Sequence, residues 1–172
     1  METDQDQFPT KWIQKCLQIL DDVDLPGTNW YVSESGMQAL RKLRRNEELS
    51  EYQEIKLQQL QNEFRFFPPT DQEFLVLRGL FQFPPSEVTE IITNRPTSGS
   101  FLFNVGEEYI GQEQGGIMLI TVPDGKRLIY HESLEQVIFP AESQFFLTGR
   151  GEREFLSNGV KRIYRTIYAT LK

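Results

Sequence analysis

EFLVLRGLFQF, residues 73–83, is an apolar run with one arginine, Arg78, in its middle and Gly79 directly after it. Aliphatic and aromatic residues in such a short run are typical of a buried strand. A guanidinium on a buried sheet is costly unless a partner compensates its charge. The run therefore predicts a strand whose arginine has a binding partner, and the surrounding sequence must explain which one.

Before this strand, the apolar residues are spaced as in helices. Apolar residues recur at helical intervals in three segments, over 12–20, 37–43 and 52–64. Ser50 is placed to cap the third helix, and Pro26-Gly27 predicts a break after the first one. Residues 1–67 are therefore predicted to form an N-terminal helical segment.

After Pro68-Pro69 the pattern changes to short strands separated by turns. Runs rich in β-branched and aromatic residues lie at 74–77, 116–122, 127–130, 136–139, 144–147 and 163–171. Pro123-Asp124-Gly125 predicts a turn, and Ser86 predicts a short helix after it. Helices followed by strands predict the α+β class, with residues 68–172 as a β-rich core.

Composition excludes several classes of protein. The 18 Lys and Arg residues stand against 25 Asp and Glu, and the net charge of −7 argues against broad binding to nucleic acid or to an anionic membrane. One cysteine, Cys16, excludes an internal disulfide, and one histidine, His131, leaves too few soft ligands for zinc. Neither a signal core nor a run of about 20 apolar residues occurs, so we expect a cytoplasmic protein without a membrane or metal partner.

A basic run, RKLRR, lies at residues 41–45. Acidic residues follow it closely, at Glu47, Glu48 and Glu51. Mixed charge of this kind favours a solvated helix face over a phosphate-binding patch.

Two further stretches carry polar residues beside strands. In SGSFLFNVGEEY, residues 98–109, Ser98 and Ser100 flank Gly99; taken alone, this favours a polar turn. In HESLEQVIFP, residues 131–140, the pair Glu135-Gln136 precedes an apolar strand that ends at Pro140.

In this order the three stretches resemble the arginine–serine–glutamate class of mono-ADP-ribosyltransferases, found among bacterial toxins and phage enzymes. LRG at 77–79 is similar to the arginine motif of that class, SGS at 98–100 to its Ser-x-Ser motif, and VIFP at 137–140 to the sequence after its catalytic glutamate. The resemblance covers about residues 30–171. It implies a split β-sandwich behind a helical segment, with a central cleft for NAD.

The resemblance also implies roles for individual residues. Arg78 would hold the phosphates of NAD by a forked, charge-assisted hydrogen bond, and Gly79 would let the backbone approach nicotinamide. Ser98 would orient the catalytic side chain and tie it to Arg78, with Ser100 as a supporting contact. The aromatic rings of Phe101 and Tyr109 would shield nicotinamide, although a place in the core stays open for both.

The implied reaction transfers ADP-ribose from NAD, as substrate, to a macromolecular acceptor with release of nicotinamide. The acceptor is expected to be a protein, with RNA or DNA left open. A toxin, an effector or a phage modification enzyme fits this activity, and an antitoxin or host partner is then a further expectation. The alternative is a catalytically weak NAD-binding or protein-interaction module, in which Arg78 forms a structural ion pair.

The chain departs from the class at Gln136, where the class has its catalytic glutamate. An amide keeps a hydrogen bond but loses the charge that stabilises the positive ribose in the transition state. Three interpretations stay open: a Glu→Gln substitution that disarms an enzyme, a register in which Glu135 is the catalyst, and a degenerate NAD-binding relative. A slip of one residue would send the side chain to the opposite face of the sheet.

Two other positions bear on the acceptor and on the catalyst. Leu134 stands where arginine-modifying members usually have a second glutamate, so an acceptor other than arginine stays open. Glu152 and Glu154 match the Glu-x-Glu pattern that such members have at the catalytic glutamate. They lie close to glycine and asparagine residues, however, and the apolar run ending in proline does not follow them. We therefore expect this pair to lie in an exposed turn.

Overall fold

The computed structural model describes residues 8–111 and 114–172. Helices come first in these ranges, at α1 (Thr10–Asp22), α2 (Pro26–Tyr31), α3 (Glu34–Arg44) and α4 (Glu51–Glu63), with α5 (Phe103–Glu107) between strands. The strands are β1 (Phe74–Leu80), β2 (Glu90–Ile92), β3 (Thr97–Ser100), β4 (Gly116–Val122), β5 (Ile129–His131), β6 (Gln136–Phe139), β7 (Gln144–Ser157) and β8 (Val160–Leu171). The predicted α+β class is confirmed.

The three predicted helices form where their caps and apolar faces place them. Ser50 caps α4 through a capping box, in which its hydroxyl accepts from the Gln53 N–H and the Gln53 side chain accepts from the Ser50 N–H. The expected break after the first helix is present, since α1 ends at Asp22, but it lies before Pro26, which begins α2. Proline is tolerated there since the first turn of a helix needs no N–H donor.

The eight strands of the described residues form one mixed sheet in the order β2-β7-β8-β4-β1-β3-β6-β5. Strands β4 and β8 run parallel, and the other neighbours are antiparallel. The ladder between β1 and β3 has a single residue pair in the described chain, Leu77 with Ser100. The sheet is therefore nearly divided at this point, and a cleft opens between its two parts.

Most of the core lies where the helices meet the sheet. Trp12 of α1 stacks on Phe74 of β1 with 5.4 Å between ring centroids, and Tyr31 of α2 is fully buried in the same core. A smaller apolar cluster, which includes Leu77, Leu119 and Phe155, packs with α5. The helical segment and the sheet thus share one main core, as expected for a chain of this length.

Three local predictions are wrong. Residues Glu90–Ile92 after Ser86 form β2 rather than a helix, because they pair with β7 at the sheet edge. Thr97–Ser100 forms β3 rather than a turn, because β6 supplies its hydrogen-bonding partner. Glu152 and Glu154 are exposed as expected, but they lie within the long strand β7, and the turn comes at Asn158-Gly159.

Across residues 8–111 and 114–172, no helix is long and apolar enough to cross a membrane. The same residues contain no cluster of three or more His, Cys, Asp or Glu side chains able to hold a metal ion.

Candidate NAD-binding cleft

The cleft at the division of the sheet encloses about 470 Å³. Its walls come from helices α2 and α3, from the end of β1 and from the segment that leads into β3. Arg78 of β1 spans the gap, and its Nη1 donates to the Ser98 backbone oxygen at 2.7 Å. The arginine that the sequence singled out therefore lies at the joint between the two parts of the sheet.

The charge of Arg78 has no counter-ion in the part of the chain that the structure describes, since no carboxylate there lies within ion-pair distance of its guanidinium. Burial lowers the pKa of Arg78. The contact of Arg78 with Ser98 runs through the backbone oxygen and not through the hydroxyl, and a tie of the catalytic side chain to Arg78 through Ser98 stays a prediction. One backbone acceptor leaves most of the five guanidinium donors available to a ligand.

A second guanidinium, that of Arg44, faces the same cleft from the end of α3. It lies 3.9 Å above the ring centroid of Tyr109, and its Nη1 donates to the Tyr109 backbone oxygen at 3.3 Å. Burial, with the nearby charge of Arg78, lowers the pKa of Arg44 to about 10. The predicted solvated face is wrong for this residue, because α3 turns Arg44 inward while Arg41 and Arg45 stay exposed.

Tyr31 is a further residue of the site that the sequence did not indicate. Its ring is buried under α2, and its hydroxyl donates to the Ser98 Oγ at 3.1 Å. Burial raises the pKa of Tyr31, so the hydroxyl stays protonated and holds Ser98 from the helical side.

A narrow crevice continues from the cleft toward α5. Its lining unites most of the residues that the resemblance implies: Arg78, Gly79, Ser98, Ser100, Tyr109 and Gln136. Gly79 is required there for packing, because a Cβ at this position would lie 1.9 Å from the Gly106 backbone oxygen of α5. The glycine thus lets α5 close on β1 and form one wall of the crevice.

Gln136 and Glu135 differ in their surroundings. Gln136 begins β6, opposite Ser100 and His131, and its Nε2 donates to the Ser133 backbone oxygen at 3.3 Å within the turn. Glu135 precedes the strand with a φ of 44° and does not line the crevice in the described structure. Burial, then the charge of Glu135, raises the pKa of Tyr130 to about 12.

The two serines have distinct partners. The Ser100 hydroxyl donates to the Leu134 backbone oxygen at 2.7 Å and accepts from the Leu102 N–H at 3.0 Å, so it fixes the turn before Gln136. Among the described residues, no hydrogen bond joins the Ser98 hydroxyl to Gln136; its partner is Tyr31. The orienting role of Ser98 toward position 136 stays a prediction.

Phe101 corrects one expectation. Its ring packs between Phe8, with centroids 4.8 Å apart, and Phe74, at 5.7 Å. It packs against the main core and does not line the crevice, because its side chain lies among Phe8, Phe74 and Tyr130. Of the two aromatic residues, only Tyr109 lies where it could cover a ligand.

Comparison with solved structures finds proteins that superpose on nearly the whole of this chain. The toxin BECa of a Clostridium perfringens binary enterotoxin, solved with NADH, superposes with a TM-score of 0.70 at 14% identity over 98% of this chain and 49% of that one. The component C2-I of the Clostridium botulinum C2 toxin superposes with a TM-score of 0.67 at 11% identity, over 98% of this chain and 48% of that one. Plx2a, an ADP-ribosyltransferase toxin from Paenibacillus larvae, superposes with a TM-score of 0.63 at 10% identity, over 97% of this chain and 94% of that one.

The chain has the fold of ADP-ribosyltransferase toxins, as the resemblance implied. It spans about half the length of BECa and C2-I and nearly all of Plx2a. A scan against protein-family models finds no match, and a comparison with curated protein sequences finds none.

Proposed function

We propose that this chain binds NAD in the cleft and transfers its ADP-ribose to a macromolecular acceptor. The observation that carries the proposal is the pair of guanidiniums, Arg44 and Arg78, which face one cleft without a carboxylate partner in the described residues. Two half-buried cations that face one cleft repel each other, and burial, then the charge of Arg78, lowers the pKa of Arg44. An anionic ligand between them would remove this cost.

The diphosphate of NAD has the chemistry that such a pair requires. A guanidinium binds phosphate oxygens through a planar fork of donors, and the cleft volume of about 470 Å³ lies within the range of cofactor sites. BECa, which was solved with NADH, supports this choice of ligand at the level of the fold.

The nicotinamide end of NAD would then lie at the mouth of the crevice beside the arginines, since the crevice volume of about 20 Å³ admits the ring only if its walls move. Gly79, Tyr109 and Gln136 are among the residues that line the crevice. In the reaction, the bond between ribose C1′ and the nicotinamide nitrogen breaks, a bond from the acceptor nucleophile to C1′ forms, and the nucleophile loses its proton. The amide of Gln136 can bind a ribose hydroxyl but cannot neutralise the developing positive charge, so turnover by this chain should be slow.

The proposal also includes a class of acceptor. We favour a protein, acted on by a toxin or effector, and RNA or DNA is the competing outcome. Gln136 specifically favours a second function, that of an NAD-binding module with little turnover. Mass spectrometry of cell extract incubated with labelled NAD and the Gln136→Glu form would identify the modified molecule.

Calorimetric titration with NAD tests the binding site. Arg78→Lys and Arg44→Lys keep the charge but lose the planar fork, so each should weaken NAD binding by about tenfold to a hundredfold, as expected for charged hydrogen bonds. Arg41→Lys is the matched control, since Arg41 lies on the same helix and is exposed; its NAD affinity should equal that of the parent. Unchanged affinity in a folded Arg78→Lys protein would overturn the assignment.

A further inference from the structure

Helix α5 forms one wall of the crevice, but it is too short to be stable alone. It has five residues, Phe103–Glu107, whereas isolated helices need roughly 12–15 residues to persist in water. Val105 and Gly106 face the crevice. The position of this wall is therefore set by packing: Gly106 lies against Gly79 of β1 on one side, and further contacts hold the opposite side.

Those contacts come from the hairpin formed by β7 and β8. The ring of Phe103 stacks on Phe155 of β7, with centroids 4.6 Å apart and planes inclined by 2°. Tyr164 of β8 packs on the same ring at 5.9 Å. This apolar contact holds the first turn of α5 against the hairpin.

A polar contact holds the last turn. The Glu107 carboxylate accepts a hydrogen bond from the Tyr164 hydroxyl at 2.6 Å on one oxygen and from the Ser157 hydroxyl on the other. Ser157 belongs to β7 and Tyr164 to β8, so one carboxylate joins α5 to both strands of the hairpin. Charged acceptors make stronger hydrogen bonds than neutral ones.

The end of α5 leads directly to the cleft arginine. Tyr109, two residues after Glu107, carries the guanidinium of Arg44 on its ring and accepts a hydrogen bond from it through its backbone oxygen. Its N–H is in turn bonded to the Gly106 backbone oxygen at 3.1 Å. A displacement of the last turn of α5 would therefore move the surface on which Arg44 rests.

We propose that Glu107 is a positioning residue for NAD: by binding Ser157 and Tyr164 it fixes α5, and thereby holds Tyr109 and Arg44 in the geometry that receives the diphosphate. Glu107 does not itself line the cleft or the crevice in the described structure. This inference rests on the proposed function, because it assigns a role in the binding of the same ligand.

Two variants test it by calorimetric titration with NAD. Glu107→Ala removes both hydrogen bonds, and Tyr164→Phe removes one while it keeps the ring that packs on Phe103. We expect the NAD dissociation constant to rise by about tenfold in the first variant and about threefold in the second, close to the net worth of one or two hydrogen bonds. Glu107→Gln, which keeps an acceptor oxygen, should recover part of the affinity.

The chain offers a matched control for each variant. Glu108→Ala removes the adjacent, exposed carboxylate, and Tyr168→Phe removes a hydroxyl further along β8 that has no hydrogen bond in the described structure. Both should bind NAD as the parent does. In the Gln136→Glu form, Glu107→Ala should raise KM with little change in kcat, because Glu107 touches no reacting atom.

The outcomes separate this inference from the proposed function. If the parent does not bind NAD, the proposed function fails and the role of Glu107 fails with it. If the parent binds NAD and Glu107→Ala binds it equally well while melting at a lower temperature, Glu107 stabilises the fold only and the positioning role is overturned. Faster hydrogen exchange at residues 103–109 in Glu107→Ala, together with weaker binding, would support it.

Discussion

At the scale of the residue, position 136 separates binding from catalysis. Gln136 lies in the crevice, whereas Glu135 lies outside it in a turn with positive φ. Gln and Glu have nearly the same shape, so the crevice can accommodate either, although a carboxylate would lose the hydrogen bond from the Gln136 Nε2 to the Ser133 backbone oxygen. What the amide lacks is the charge that stabilises a positive ribose, and that term is worth roughly 3 kcal/mol in sites of this kind.

Gln136→Glu should therefore raise the rate of nicotinamide release by about a hundredfold, with little change in NAD affinity. Release of nicotinamide from NAD, followed by chromatography, measures this rate. Glu135→Gln is the control and should have little effect. If instead Glu135→Gln abolishes release by the unmodified chain and Gln136→Glu gives no gain, then Glu135 is the catalyst.

At the scale of the element, helix α2 depends on one buried carboxylate. Glu63 at the end of α4 accepts hydrogen bonds from the Gly27 N–H at 2.8 Å, the Thr28 N–H at 2.7 Å and the Thr28 hydroxyl at 2.8 Å. It therefore satisfies the first donors of a six-residue helix, which in turn places Tyr31 against Ser98. The cleft is built on this contact, although Glu63 is not part of it.

Glu63→Gln should lower the free energy of unfolding by about 2 kcal/mol or more, because an amide cannot accept on both sides and leaves a buried donor without a partner. Urea unfolding followed by circular dichroism measures the change. Glu48→Gln, at an exposed carboxylate, should cost less than about 0.5 kcal/mol. Equal stability of the two variants would show that the contact at Glu63 contributes nothing.

At the scale of the whole molecule, the sheet is divided at β1 and β3 and the hairpin of β7 and β8 reaches across to α5. Partial burial raises the pKa of Glu107, but hydrogen bonds from Ser157 and Tyr164 and the charge of Arg162 outweigh it and hold the pKa below the ordinary value of 4.5. A carboxyl group with a lowered pKa stabilises the fold above its ordinary pKa. This contribution is lost as the pH falls through the folded-state value.

The melting temperature of the parent should therefore exceed that of Glu107→Ala at pH 6 to 8, and the difference should shrink as the pH falls below about 4.5. Scanning calorimetry across this range checks the expectation, with Glu108→Ala as the control that shows no such difference. A difference that stays constant down to pH 3 would mean that the contact does not depend on the ionised carboxylate.

The sequence by itself determined the class of fold and most of its elements, because helical spacing, the cap at Ser50 and the β-branched runs are local signals. Arg78 stood out by its place in an apolar strand, and Gly79, Tyr109 and Gln136 were indicated by the resemblance of their motifs to those of the ADP-ribosyltransferases. Only the tertiary structure decided which side chains converge. In the sequence Arg44 is one of several cations on a helix, and nothing near Tyr31 or Glu107 indicates a functional role. The local sequence around Phe101 is equally compatible with a crevice and with a core. Such residues are defined by contacts between segments far apart in sequence, and those contacts exist only after the sheet has formed.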